Sequence, residues 1–307
     1  MPLDLDVSPF DNSGTKKEGV SRTYKGFDGY SPFFAYLGQE GYCVHVALRE
    51  GKTHVQKEAD DFIDRALRYA RRVTDEKLFV RMDSGNDAAD NLNLCLDHKV
   101  DFIIKRNPRK EQPEQWLDLA KREGRSKEVR LGKHLYVGSM VVQPDRLIKP
   151  VRLVYHVTQR TTERDGQALL VPDIELSLYW TTLNGVSEEQ ITDLYQDHAT
   201  SEQFHSEIKS ELDLERMPSG KFATNDLILH MGVFVYNLLR IVGQIALTDM
   251  DAPRKKKAVF RQRIRTVIHD LMLVSARMVT HARSFKLCFG RWSPWFPQLR
   301  RLYLHFS

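Results

Sequence analysis

Cysteine is scarce in this chain. Cys43, Cys95 and Cys288 are odd in number, far apart and without a CxxC pair. That excludes a small disulfide-stapled scaffold, argues against a zinc site, and fits reduced thiols in a cytosolic protein. Other absences narrow the class. The histidines form no HExxH pair and no glycine-rich phosphate loop is present, which disfavours zinc hydrolysis and nucleotide triphosphatase chemistry. No supported Ser/His/Asp or Cys/His set points to a covalent intermediate. The first residues lack the basic start and apolar core of a secretory signal. Long uninterrupted apolar runs are missing too. The most apolar segment, Leu227 to Leu247, is broken by His230, Asn237, Arg240 and Gln244, as expected of a helix buried in protein and not of a membrane span.

What is present suffices for a real core: 307 residues, 41% of them hydrophobic, which excludes an intrinsically disordered chain. The net charge of +5 conceals a sorting of charge along the chain. From Ala252 to Ser307 there are thirteen Lys/Arg and one acid, Asp270, a local +12 that leaves −7 for residues 1–251. A basic tail beside an acidic body suggests a polyanion surface, plus a region where carboxylates do other work. Within the tail, Arg254, Lys255, Lys256 and Lys257 form the densest basic run, and Trp292, Trp295 and Phe296 interleave with later bases. Such bases would hold phosphates without reading sequence.

Strand-like runs open the chain at Leu3 to Val7, Pro32 to Leu37 and Tyr42 to Leu48, the last two joined by a Gly-Gln-Glu-Gly turn. Lys57 to Val73 has the 3.6-residue apolar period of an amphipathic helix. Lys77 to Met82 reads as a buried strand, Ala88 to His98 as a helix, and Asp101 to Lys105 as another buried strand. The order strand, strand, strand, helix, strand, helix, strand predicts a mixed α/β sheet with helices for both faces, the core order of RNase H-like nucleases. A short helix over Gln112 to Glu123 precedes β-rich runs at Glu128 to Val142, Val151 to Thr161 and Leu169 to Leu183. Helices then dominate, at Ser187 to Leu212, Ala223 to Leu247 and Val259 to Phe285. The expected organisation is a first part of the core at 1–125, a β-rich insertion at 126–185, a second core part at 186–250 and a basic helical region at 251–307.

Three acids stand out by placement. Asp6 lies near the end of the first strand. Asp83 follows the strand Leu78 to Met82 and precedes a Ser-Gly turn, where open α/β sheets present functional groups; an Asp there can equally cap the next helix. The third acid is Glu202. On the helix Ser187 to Leu212, the residues Tyr195, His198, Glu202 and Lys209 fall within an arc of about 60°, on one face, away from Phe204, Ile208 and Leu212. A solvated polar face would show the same pattern.

The spacing Tyr195, two residues, His198, three residues, Glu202, six residues, Lys209 resembles the Y(2)R(3)E(6)K signature of DDE transposases from bacterial insertion sequences. Leu3-Asp4-Leu5-Asp6 is similar to that family's first aspartate motif, and Arg81-Met82-Asp83-Ser84-Gly85 to its second. Tyr24-Lys25-Gly26, Gly29-Tyr30, Pro32 and Asn225 also resemble it, so the likeness spans Leu3 to about Gly243. His198 departs from the signature, which has Arg at that place, and imidazole is mostly neutral at pH 7. The first aspartate stands at residue 6, whereas such proteins usually carry a helical, end-recognising domain before it, so an N-terminally truncated chain is expected.

The resemblance implies an RNase H-like catalytic domain that cuts and joins DNA with Mg²⁺, or Mn²⁺ in its place, two ions per site. Asp6, Asp83 and Glu202 would be the catalytic and metal-binding acids, with Asp6 bridging both ions. Tyr195, His198 and Lys209 would contact DNA beside the scissile phosphate, and Arg254 to Lys257 its backbone. Asp4 competes with Asp6, because residues two apart in a strand share a face. The implied partners are transposon ends and target DNA, with a homodimer in a synaptic complex, no membrane, and a place in the bacterial cytosol at the nucleoid. Two other readings stay open: a truncated relic that binds DNA or a full-length transposase, and a resolvase-type RNase H-like nuclease.

Overall fold

Alternation in the first strand sets the layout. In the computed structural model, which describes residues 1–163, 165–248, 253, 260–290 and 292–307, this strand is β1 (Pro2–Val7). Leu3, Leu5 and Val7 are buried on one face, and Asp4 and Asp6 point to the other. A small sheet of β2 (Phe10–Asp11), β3 (Ser21–Arg22) and β4 (Asp28–Tyr30) follows. Then come β5 (Phe33–Leu37), β6 (Tyr42–Ala47), α1 (Ala59–Val73), β7 (Phe79–Met82), α2 (Ala89–Asp97) and β8 (Asp101–Arg106). Across the sheet they run β6-β5-β1-β7-β8, with β1 antiparallel to β5 and parallel to β7, and β7 parallel to β8. This is the mixed sheet that the strand and helix order implies.

Helix α1 covers one face because Ala59, Phe62, Ile63, Ala66, Leu67 and Ala70 fall on a single stripe and are all buried. Phe62 stacks on Phe33 of β5 with ring centroids 4.0 Å apart. Burying Phe62, Ile63 and Leu67 stabilises by about 2 kcal/mol each, an upper figure for a chain that is already partly collapsed when unfolded. Leu67→Ala alone would cost about 2–5 kcal/mol through the cavity it leaves.

After α3 (Pro113–Glu123), the β-rich block forms β9 (Arg125–Arg130), β10 (Lys133–Val142), β11 (Val151–Thr162) and β12 (Ala168–Thr181). It is an antiparallel meander whose last strand pairs with β8, so the core sheet extends to nine strands in the order β6-β5-β1-β7-β8-β12-β11-β10-β9. Trp180 ties the two parts together by donating its indole N–H to Asp87 at 2.9 Å.

The other face of the core strands is covered by helices from the second half. Ser187 opens α4 (Glu188–Gln196) with a capping box to Gln190. A tighter turn at Asp197–Ala199, α5 (Thr200–Ser206) and a wider turn at Glu207–Glu211 continue one rod over the expected Ser187 to Leu212 span. Gly41, with φ of 75°, lets the β5–β6 hairpin approach this rod: a Cβ there would lie 2.3 Å from the Phe204 ring. The long α6 (Phe222–Thr248) is apolar and long enough to cross a membrane by composition. One of its faces packs into the core through Leu229, Val233, Tyr236, Leu239 and Ala246, while Leu227, Met231, Phe234 and Leu238 are exposed.

The long helix expected over Val259 to Phe285 does not form. The chain instead makes α7 (Ile264–Val267), a further turn to Met272, and a hairpin of β13 (Ala276–His281) and β14 (Ser284–Phe289), before α8 (Phe296–Phe306). The cause is local. Met278, Val279 and Thr280 favour extended backbone, Phe285-Lys286-Leu287 alternates with period two, and Ala282 and Arg283 take φ of 49° and 62° at the turn. The hairpin sends Arg277 and Lys286 to one face, and Met278 and Leu287, directly paired, to the other.

Candidate active site

Parallel pairing of β1 and β7 brings two acids together. Leu5 lies opposite Met82, so Asp6 and Asp83 emerge side by side at neighbouring C-terminal strand ends. Both line a cavity of about 890 Å³ with Tyr195, His198, Glu202, His205 and Lys209 from the helical rod. The single face expected for Tyr195, His198, Glu202 and Lys209 is therefore the face that closes over the strand ends. Tyr24, Lys25 and Lys105 complete the lining. Asp83 also caps the turn after it, accepting hydrogen bonds from Gly85 N at 3.2 Å and Asn86 Nδ2 at 2.9 Å. The capping reading and the cavity reading hold at once.

The two aspartates of β1 share a face, yet their neighbours separate them. Asp4 is opposite Arg81 in the β1–β7 register. Arg81 donates to both its oxygens, Nε to Oδ1 at 2.5 Å and a terminal nitrogen to Oδ2 at 2.7 Å. His198 Nδ1 adds a contact to Asp4 Oδ1 at 3.0 Å. Asp4 and Arg81 are both buried, so this carboxylate is neutralised and closed. Asp6 keeps 22% side-chain exposure, and its partner is His205, whose Nε2 lies 3.0 Å from Oδ2. Among the described residues neither Asp6 nor Asp83 pairs with Arg or Lys. His198 thus commits its Nδ1 to Asp4 while still lining the cavity.

Electrostatics follow from these contacts. Burial alone would raise Asp6, but the hydrogen bond and charge of His205, with His198 behind it, hold it below the ordinary carboxylate value. Asp83 goes the other way, raised by burial and by the negative charge of Asp6. Two acids whose mutual repulsion raises one of them form a site that a cation would relieve. Burial lowers His205, against the hydrogen bond and charge of Asp6, which raise it. His198 is raised, because the bond to Asp4 and its charge outweigh burial. Lys209 donates to Pro9 O at 2.8 Å and is lowered to about 8, chiefly by burial. Burial beside Asp83 and Asp6 keeps Tyr195 and Tyr24 protonated.

Two comparisons with known proteins match, and one decides the family. A family model described as transposase DDE domain group 1 matches residues 1–306. The chain belongs to that family. A solved structure, the cryo-EM synaptic complex of piggyBac transposase with hairpin DNA, is similar at 11% identity with a TM-score of 0.45 over 88% of this chain. The match spans about half of that transposase, 51% of its chain. No curated protein matches the sequence.

In this DDE family member the donor set suits Mg²⁺. Asp6, Asp83 and Glu202 offer hard carboxylate oxygens to one cavity. Among the described residues no three His, Cys, Asp or Glu side chains form by themselves a group that could hold a metal ion. Mg²⁺ ordinarily takes only one or two carboxylates, with waters and phosphate oxygens filling its remaining positions.

The basic tail divides. Arg254, Lys255, Lys256 and Lys257 lie outside the described residues. Arg261 is committed to packing: it donates to both oxygens of buried Glu207 at 2.8 Å, and Glu207 also holds buried Arg240. Arg263 pairs with Glu211 at 2.7 Å. Arg265, Arg277, Arg283, Lys286 and Arg300 are exposed. Sequence reasoning placed Arg81 and Lys25 within motifs without giving them a role, and missed His205, Tyr36 and the cavity cation Lys105. A charge inside the otherwise apolar strand Leu78 to Met82 was the available signal for Arg81. His205 could have been found as the residue one turn after Glu202 and two turns after His198.

Proposed function

We propose that this chain is the catalytic region of a transposase from a bacterial insertion sequence of the Y(2)R(3)E(6)K group, cutting DNA at the element's ends and joining them to target DNA. One observation carries the reading. Among the described residues Asp6 and Asp83, at adjacent strand ends, form no ion pair with Arg or Lys, in a cavity that Glu202 also lines, while the neighbouring Asp4 is paired with Arg81.

Asp6, Asp83 and Glu202 would hold two Mg²⁺ ions, or Mn²⁺ in their place. When bound, the pair activates the attacking oxygen and neutralises the departing one. Tyr195 stays protonated beside the acids, able to donate a hydrogen bond to a phosphate oxygen or offer a stacking face. Lys209, Lys25 and Lys105 give the cavity rim positive charge for the backbone on either side of the scissile bond. In the first step, water oxygen bonds to phosphorus and the 3′ oxygen leaves with a proton. That 3′-hydroxyl then attacks a target phosphate in the same geometry, losing its proton as the target strand's own 3′ oxygen departs.

The exposed bases of the C-terminal hairpin and α8 would extend the DNA surface, with Arg254 to Lys257. A homodimer holding two ends in a synaptic complex, in the bacterial cytosol, fits this chemistry. The test uses purified protein, duplex DNA carrying the element's ends, and Mg²⁺ or Mn²⁺. Nicking and strand joining are expected from the parent and lost in Asp83→Asn and Glu202→Gln. Cleavage that survives both substitutions overturns the site. Salt-sensitive DNA binding without cleavage by the parent would favour a non-catalytic relic.

A further inference from the structure

Below the cavity floor, Asp6 is the end of a short buried chain of hydrogen bonds. His205 Nε2 meets Asp6 Oδ2 at 3.0 Å, and His205 Nδ1 meets the Tyr36 hydroxyl at 3.1 Å. Tyr36 is fully buried and His205 is 4% exposed. The imidazole is wedged between rings, 5.1 Å from Phe34 and 5.3 Å from Tyr36 by centroid. The β1–β5 register makes this possible, because Phe34 lies opposite Asp6 and Tyr36 opposite Asp4, all facing the rod.

We infer that Tyr36 and His205 form a positioning relay that fixes the tautomer and ring angle of His205 and thereby aims the Asp6 carboxylate at its cation, an inference that rests on the two-cation reading above. An ionised carboxylate only accepts, so the proton sits on Nε2 and Nδ1 receives the Tyr36 hydroxyl. The bond from Nε2–H occupies one side of Oδ2 and restrains rotation of the carboxylate about its last torsion. The remaining lone pairs of Asp6 are then presented to the cavity in one orientation.

The same rod shows what His205 is not. Two turns earlier His198 makes the equivalent bond to Asp4, but there Arg81 supplies a full charge to both oxygens and closes the group. Asp6 instead has one imidazole bond to one oxygen and no guanidinium. Orientation with retained charge is what a ligand to a hard cation needs, and such outer contacts are worth roughly 10–100-fold in metal affinity.

The test reads Mn²⁺ binding as loss of the free-ion paramagnetic resonance signal when Mn²⁺ alone is added to the full chain, with thermal melts alongside. The parent should bind. His205→Ala should bind about 10-fold or more weakly. His205→Gln, whose amide can donate from the Nε2 position, should recover most of that loss. Tyr36→Phe keeps the ring and removes only the hydroxyl, so it should fold and weaken Mn²⁺ several-fold. Parent-like binding by His205→Ala or Tyr36→Phe overturns the relay, as does a His205→Gln variant that melts like the parent yet binds as poorly as His205→Ala. A parent that binds no Mn²⁺ overturns the two-cation reading itself, which keeps the two failures distinct.

Discussion

Replacing each aspartate of β1 by asparagine should separate folding from function at two positions on one strand face. Asp4→Asn removes the charge that holds Arg81 through two hydrogen bonds and His198 through a third, all in buried surroundings. Leaving a buried guanidinium without its counter-ion costs about 3–5 kcal/mol. For a chain of this size that is a drop in Tm of roughly 6–10 °C. Asp6→Asn differs, because the amide oxygen still accepts from His205 Nε2. It loses the stabilisation recorded in the lowered Asp6 value, and it relieves the repulsion recorded in the raised Asp83 value. These opposing terms leave a net change within about 1 kcal/mol. Urea unfolding followed by tryptophan fluorescence, without added metal, measures both variants. Equal destabilisation by the two substitutions, or a larger loss for Asp6→Asn, would refute the division of roles between these acids.

Two further outcomes follow from the charges beside the site. Lys209, lowered to about 8 by burial, should lose its charge as pH rises through 8, so DNA affinity measured by fluorescence anisotropy should fall several-fold between pH 7 and 9. The same depression makes the unfolded chain bind the extra proton between about 8 and the ordinary lysine value of 10.5, so this group favours folding increasingly as pH rises through that window. A pH-independent affinity, or the same pH dependence in Lys209→Ala, would show that Lys209 does not face the phosphate. Glu207→Ala leaves Arg240 and Arg261 buried without a carboxylate, at a cost of about 3–5 kcal/mol. Because Arg261 anchors the C-terminal part to the rod, limited trypsin digestion should cut beyond residue 260 before the rest; unchanged digestion would count against that anchoring.

The core strand order and the face shared by the rod residues are legible in the sequence, and what is not legible has physical causes. The strand and helix order leads to the core sheet because parallel strands need crossover helices, which Lys57 to Val73 and Ala88 to His98 supply. The angular arithmetic for Tyr195, His198, Glu202 and Lys209 survives the changes of winding along the rod, since all four line one cavity. Alternation could not choose between Asp4 and Asp6. What separates their surroundings is Arg81, 77 residues from Asp4 in sequence, and its pairing with Asp4 is visible only once the β1–β7 register is known. The bond from His198 Nδ1 to Asp4, 194 residues apart in sequence, is likewise invisible in the spacing. The C-terminal hairpin reads as helix from sequence; its strands are only six residues each, and the first shows no clean alternation.

The central claim is that Asp6, and not Asp4, offers its charge to a divalent cation beside Asp83. Anomalous scattering from crystals of the protein soaked in Mn²⁺ tests it most directly. A peak within bonding distance of the Asp6 and Asp83 carboxylates, lost in Asp6→Asn crystals, is the expected result. Mn²⁺ coordinated by Asp4, or no ordered ion near Asp6 and Asp83 at saturating Mn²⁺, would contradict it.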